Sequence, residues 1–271
     1  MKKSLVGMVL VMLLAVTGAL QAHDLFLRLD SFFVSPGASA RIRVLNGTFS
    51  KSENSVTRVR LSDLSIVGPA GRTRPDTTLW SAKGDTSIFT VPTTTAGTYV
   101  VGASLKPSEI TLKAKDFNLY LADDGIPDVL AARRRSGELT KDATERYSKH
   151  VKALLQVGTE RSSGFDTVLG YPAELVPLNN PYSSRPGGWL RVRALVDGKP
   201  VANQLVMSGG RPPRGGRLPV RSVRTDSDGV ARIRISETGQ WYVKFIHMAP
   251  VSGDPKLDYE SKWATLTFQV R

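Results

Sequence analysis

The sequence predicts a mainly β protein, built as two antiparallel β-sandwich domains joined by a short helical segment. Three observations carry that prediction. Short apolar runs alternate with polar residues and stop at Gly, Pro, Asn or Asp. Charged, helix-compatible sequence is confined to the middle of the chain. The length of 271 residues suits two domains of ordinary size. The expected segments are 1–22, an export signal; 23–122, the first sandwich; 123–160, the helical linker; and 161–271, the second sandwich.

The chain opens Met1-Lys2-Lys3, runs apolar from Leu5 to Leu20, and reaches Gln21-Ala22 before His23-Asp24-Leu25-Phe26. A basic start, an apolar stretch and a small residue at the cut make a secretory signal cleaved after Ala22. Leu20 stands where a small residue is more usual, so cleavage after Ala19 is the alternative. Cleavage after Ala22 would leave His23 first, with a free α-amine beside its own imidazole. One residue would then offer a metal two nitrogens.

In the first sandwich, Arg41-Ile42-Arg43-Val44-Leu45 ends at Asn46-Gly47, and Thr57-Arg58-Val59-Arg60-Leu61 alternates strictly. Ser87 to Val91 stops at Pro92, and Gly97 to Gly102 follows a turn. Each reads as a short strand. The character changes at Asp123-Asp124-Gly125-Ile126-Pro127. Thr140 is a candidate N-cap for a helix to about Leu155, in which Ala143, Tyr147, His150, Val151 and Leu154 share one stripe.

A second β region begins near Val168. Trp189 to Val196 is a strand, Asp197-Gly198-Lys199-Pro200 turns it, and Val201 to Ser208 returns. Arg224 to Ile233 is a turn feeding an alternating strand, and Thr238 to His247 follows. Gly209 to Gly216 reads as a flexible loop. The final strand alternates Ala264, Leu266, Phe268 and Val270 as its buried face, with Glu260 just before it. This order resembles the Ig-like and transthyretin-like modules of secreted proteins, a resemblance of fold that carries no activity.

Composition excludes several kinds of chemistry. Cysteine is absent, which removes disulfides, thiolate metal sites, cysteine nucleophiles and the attachment point of a bacterial lipid anchor. After the signal, no apolar run approaches the ~20 residues of a membrane helix. The net charge is +13, but it is dispersed: Arg133-Arg134-Arg135 is one short run, and Arg211, Arg214, Arg217, Arg221 and Arg224 punctuate one loop. Solvated loops and a helix face account for it, and export argues against a nucleic-acid partner. No nucleophile elbow, phosphate loop, dinucleotide fingerprint or zinc-protease helix is present, so no enzyme is expected.

Three histidines remain: His23, His150 and His247. Together with the terminal amine, and with Asp24 and Glu260 as available carboxylates, they form the candidate metal set His23, His150, His247 and Glu260. Imidazole and amine suit nickel, cobalt, copper or zinc. The plainer readings stand beside this one: His150 as a packing residue, His247 as a strand-end residue bonded to a loop, Glu260 as a surface carboxylate, His23 as a frayed terminus.

Several segments resemble a bacterial exported family, domain of unknown function 4198. They are His23 at the start, Asn46-Gly47-Thr48-Phe49, Asp116-Phe117-Asn118-x-Tyr120-Leu121 and Glu145-Arg146-Tyr147-Ser148-Lys149-His150-x-Lys152, then Gly170-Tyr171-Pro172-x-Glu174 and Asp258-Tyr259-Glu260-Ser261-x-Trp263-Ala264. That family often carries the label of a nickel-transport periplasmic component. The resemblance implies a periplasmic protein that binds a divalent transition metal, nickel foremost, and hands it to a metal transporter. The alternatives are an interaction module partnering an outer-membrane receptor, and a copper oxidase using the terminal amine and two imidazoles as a brace.

Overall fold

The structure, a computed structural model, describes residues 23–271; the expected signal segment lies outside the described residues. The chain is mainly β. The first part holds β1 (Asp24–Leu29), β2 (Phe33–Val34), β3 (Ser39–Gly47), β4 (Leu61–Gly68), β5 (Gly71–Thr73), β6 (Ser81–Lys83), β7 (Thr86–Pro92), β8 (Gly97–Leu105) and β9 (Ser108–Leu112). Two helices follow, α1 (Ala114–Asp123) and α2 (Pro127–Arg135), and then the long β10 (Ala143–Val157). The last part holds β11 (Ala173–Pro177), β12 (Trp189–Val196), β13 (Lys199–Pro200), β14 (Leu205–Arg211), β15 (Leu218–Arg224), β16 (Val230–Arg234), β17 (Gly239–Pro250) and β18 (Tyr259–Val270).

A ten-stranded sheet, with main path β15-β14-β17-β18-β10-β8-β4-β5, runs through both halves of the sequence. Its centre is the parallel pair β10 and β18, with Glu145 opposite Tyr259 and His150 opposite Ala264. A four-stranded sheet β1-β3-β7-β6 and the two helices cover one face, and β11, β12, β13 and β16 cover the other. Alternate residues of β10 therefore enter different cores. Val151, Ala153 and Leu155 pack with Leu25, Leu27 and Leu29, whereas Leu154 packs with Leu175, Val192 and Leu266.

Double-sided burial explains the main correction to the sequence reading. Residues 143–157 form a strand, not the helix expected from Thr140 to Leu155, because every residue from Ser148 to Val157 is buried against one layer or the other. The strict alternation at 57–61 misled in the opposite sense. Arg58–Arg60 is a single 3-10 turn with Val59 74% exposed, and the strand starts at Leu61. The expected loop at 209–216 belongs in part to β14, which pairs with β17 through Gly210 opposite Trp241.

The helices follow from local chemistry. Asp142 supplies the cap that α1 lacks of its own: Oδ1 accepts from the Ala114 amide at 3.0 Å and Oδ2 from Lys113 at 2.8 Å. Phe117, Tyr120 and Leu121, spaced as one helix face, are its buried residues. Gly125 ends the turn at φ +83°, and a Cβ there would stand 2.6 Å from Met207 Sδ, so that position requires glycine. Pro127 opens α2 and Arg133, Arg134 and Arg135 close it, each suited to its end of the helix. Arg133 is buried rather than solvated, donating to the carbonyls of Glu138 at 2.8 Å and Lys141 at 2.6 Å.

Candidate functional site

A cavity of about 350 Å³ opens where the start of β1, the turn after β3, α1 and the β14–β15 hairpin meet. Small-molecule sites span ~300–1,000 Å³. Its floor is aromatic: the rings of Phe26 and Phe49 lie 5.3 Å apart, and each lies 5.1 Å from Tyr242. Its walls carry five carboxylates, Asp24, Glu53, Asp116, Asp123 and Asp124, against one guanidinium, Arg217. On a chain of net charge +13 this lining is locally acidic, with Lys244 beneath it pairing Asp24 and Asp124.

His23 sits at this cavity, with Nε2 3.3 Å from Glu53 Oε2. That contact favours the proton on Nε2 and leaves the lone pair on Nδ1, the ring nitrogen nearer the backbone. Glu53 is brought there by the turn after β3, where Gly47 is required: a Cβ on it would lie 2.6 Å from the Lys51 carbonyl oxygen.

Asp24 is anchored from beneath. Its Oδ2 lies 2.6 Å from Lys244 Nζ, which also reaches Asp124 Oδ1 at 3.0 Å. Burial works against the charge on Lys244, but Asp24 and Asp124 outweigh it and raise its pKa. Asp24 Oδ1, buried, has no protein partner among the described residues. A second buried lysine, Lys149, donates to the His23 carbonyl and lies 5.0 Å from the Trp263 ring centre. Burial lowers its pKa to about 8, with Asp24 and Glu145 pulling the other way.

Of the residues expected to hold a metal, only His23 lies at this cavity. His150 is 2% exposed and shares hydrogen bonds with Ser104 Oγ (2.9 Å) and Ser148 Oγ (3.0 Å). His247 is half-buried, its Nδ1 3.0 Å from Gln204 Oε1, a side-chain partner where a loop carbonyl was the plainer expectation. Glu260 is exposed, opposite Ala249 and Arg146. Strand parity fixes their side: His150, His247 and Glu260 share the face of the sheet that carries Ala264, while His23, Lys149 and Lys244 lie on the face that carries Trp263. His150 and His247 themselves stand on strands flanking β18, so two interstrand spacings, ~10 Å, separate them. The structure thus does not bring the four together, and among the described residues no group of three or more His, Asp or Glu side chains could hold a metal.

Distant segments do converge here. Gly47-Thr48-Phe49, Asp116 and Tyr120 line the cavity, and Lys149 and Trp263 lie behind it. Tyr120 donates to buried Glu145 at 3.2 Å, and Glu145 also accepts from Ser261. Sequence reasoning missed Glu53, Asp123, Asp124, Lys149 and Lys244. A usable signal existed for one of them, since Lys244 interrupts the apolar strand Trp241 to Ile246 with a charge.

The family profile described as Domain of unknown function (DUF4198) matches residues 20–249. A search of curated proteins finds no match.

Proposed function

This chain belongs to the DUF4198 family, and from that premise we propose that it is an exported, periplasmic protein that binds a divalent transition metal as cargo, nickel foremost, at a processed N-terminus beginning with His23. Delivery to a metal transporter is the purpose this reading gives it. The observation that carries it is the contact between His23 Nε2 and Glu53 Oε2 inside an acidic cavity, which frees Nδ1 to act with the α-amine. An N-terminal histidine chelates through those two nitrogens. Side chains alone supply no metal-holding group among the described residues, so the terminal amine is the donor that signal cleavage would add. The orphaned Asp24 Oδ1 fits the same chemistry, a buried acceptor without a proton donor beside the first residue.

The donor set predicts its own pH response. The α-amine has a reference pKa of ~7.7–8.0, so metal must displace its proton and affinity falls as pH drops. Calorimetry with nickel on protein beginning at His23, against the same protein with one extra Ala before it, is the decisive experiment. A large loss of affinity with the extra residue is expected; equal affinity ends this reading.

A second reading, an interaction module with no metal role, is favoured by Leu119 and Val220, which line the cavity while about half exposed. Its mark is capture of an outer-membrane receptor that persists in chelator.

A further inference from the structure

We propose a second ligand site, independent of the first, that takes a phosphate monoester carried on a sugar-sized polar body. It is a hollow of about 340 Å³ lined by Phe33, Arg161, Tyr182, Arg185 and Arg271 among others, and it shares no residue with the acidic cavity. Arg161 follows β10, Arg185 follows the 3-10 turn Pro181–Ser183, and Arg271 follows β18, so three arginines from separate parts of the sequence line one hollow.

Charge and geometry point to the ligand. No Asp or Glu lines the hollow, and none of the three arginines is in an ion pair among the described residues. Unpaired guanidinium groups around one concavity form an anion site, and their planar forks match phosphate oxygens two at a time. Arg271 is held in place by the Phe33 ring, with its guanidinium carbon 3.7 Å from the ring centre. The hydroxyls of Thr159, Ser183 and Ser184 add neutral donors and acceptors suited to a polyhydroxylated body. Phe33 and Tyr182, edge to face at 5.0 Å, give that body an apolar wall. The volume lies in the range of organic ligands, not of a bare ion.

A phosphorylated headgroup at a lipid surface and a soluble sugar phosphate present the same chemistry, and the test separates them. Binding of glucose 6-phosphate, glucose and inorganic phosphate is measured by calorimetry, and binding of phosphatidylcholine vesicles with and without phosphatidic acid by co-sedimentation. Two variants are compared, R161Q/R185Q in the hollow and R134Q/R135Q, which removes equal charge from exposed positions on α2. Glucose 6-phosphate is expected to bind more tightly than inorganic phosphate, and glucose not at all. R161Q/R185Q should lose at least tenfold in affinity while R134Q/R135Q keeps it. Vesicle binding with the same variant pattern, in the absence of sugar phosphate binding, assigns the lipid source. Absence of binding to every phosphate probe, or equal losses in the two variants, overturns the proposal.

Discussion

Lys244 and Asp24 are 220 residues apart in sequence and 2.6 Å apart in space. That pair ties the second residue of the described chain to the middle of the central sheet, and Asp124, on the same ammonium, ties the end of α1 to it as well. The position of His23 is thus set by a buried charge cluster, and removing the cation should be felt both in stability and at the cavity.

Lys244→Met leaves Asp24 and Asp124 without the ammonium that bonds both of them. Side chains at 7%, 15% and 22% exposure are screened only weakly, so the loss is expected to be about 3–5 kcal/mol. Urea unfolding measures it. Adding Asp24→Asn to Lys244→Met should recover part of that loss, because the repulsion between the two acids disappears. A double variant no more stable than the single one would show that shape, not charge, is what Lys244 supplies.

Glu53 is expected to act on the metal through His23. Carboxylates that orient a ligating imidazole contribute ~10–100-fold to metal affinity. Glu53→Ala should weaken nickel binding by that order, and Glu53→Gln by less, since its amide oxygen still faces Nε2. Calorimetry on protein beginning at His23 reads the difference.

His150 predicts an acid limb in stability. Burial, with the Lys262 charge next, lowers its pKa from 6.5 to about 4. Between those values the unfolded chain binds a proton that the folded chain refuses. Stability present above pH 6.5 is therefore lost progressively as pH falls toward 4, by about 3 kcal/mol in all. His247, also lowered by burial, adds in the same direction. Unfolding free energies of the wild type and of His150→Gln across pH 7 to 4 give the check: the variant's profile should be the flatter one.

What could be read from the sequence follows the number of faces that an element buries. β12 was expected over Trp189–Val196 and forms there, because Leu190, Val192 and Ala194 go inward while Trp189 and Arg191 stay exposed. β10 buries both faces, so the alternation that marks a strand is absent, and its charged residues imitated a solvated helix. Those charges are in fact paired or capped at long range, Lys152 with Glu174 and Lys149 with the His23 carbonyl. The cavity was legible only in part for the same reason. His23 and Asp24 stood out by their place in the chain, but Glu53, Asp124 and Lys244 acquire their roles through contacts over 30 to 220 residues that no local pattern encodes.

The pair Lys152 and Glu174 is the most deeply buried of these, each side chain 1% exposed and 3.0 Å from the other. Glu174 does more than balance a charge. Its oxygens accept from the amides of Leu169 at 2.9 Å and Tyr171 at 2.7 Å, holding the segment before β11, while Lys152 donates to the Thr167 carbonyl at 3.0 Å. Burial lowers the Lys152 pKa, and Glu174 opposes that shift. Lys152→Met should therefore cost about 3–5 kcal/mol, the cost of an uncompensated buried carboxylate. In Lys152→Met/Glu174→Gln the charge is gone and the one amide oxygen still serves one of the two loop amides, so part of that loss should return. Urea unfolding of both variants decides it. Recovery in the double variant identifies charge as the dominant cost, whereas two equal losses would assign it to the loop hydrogen bonds.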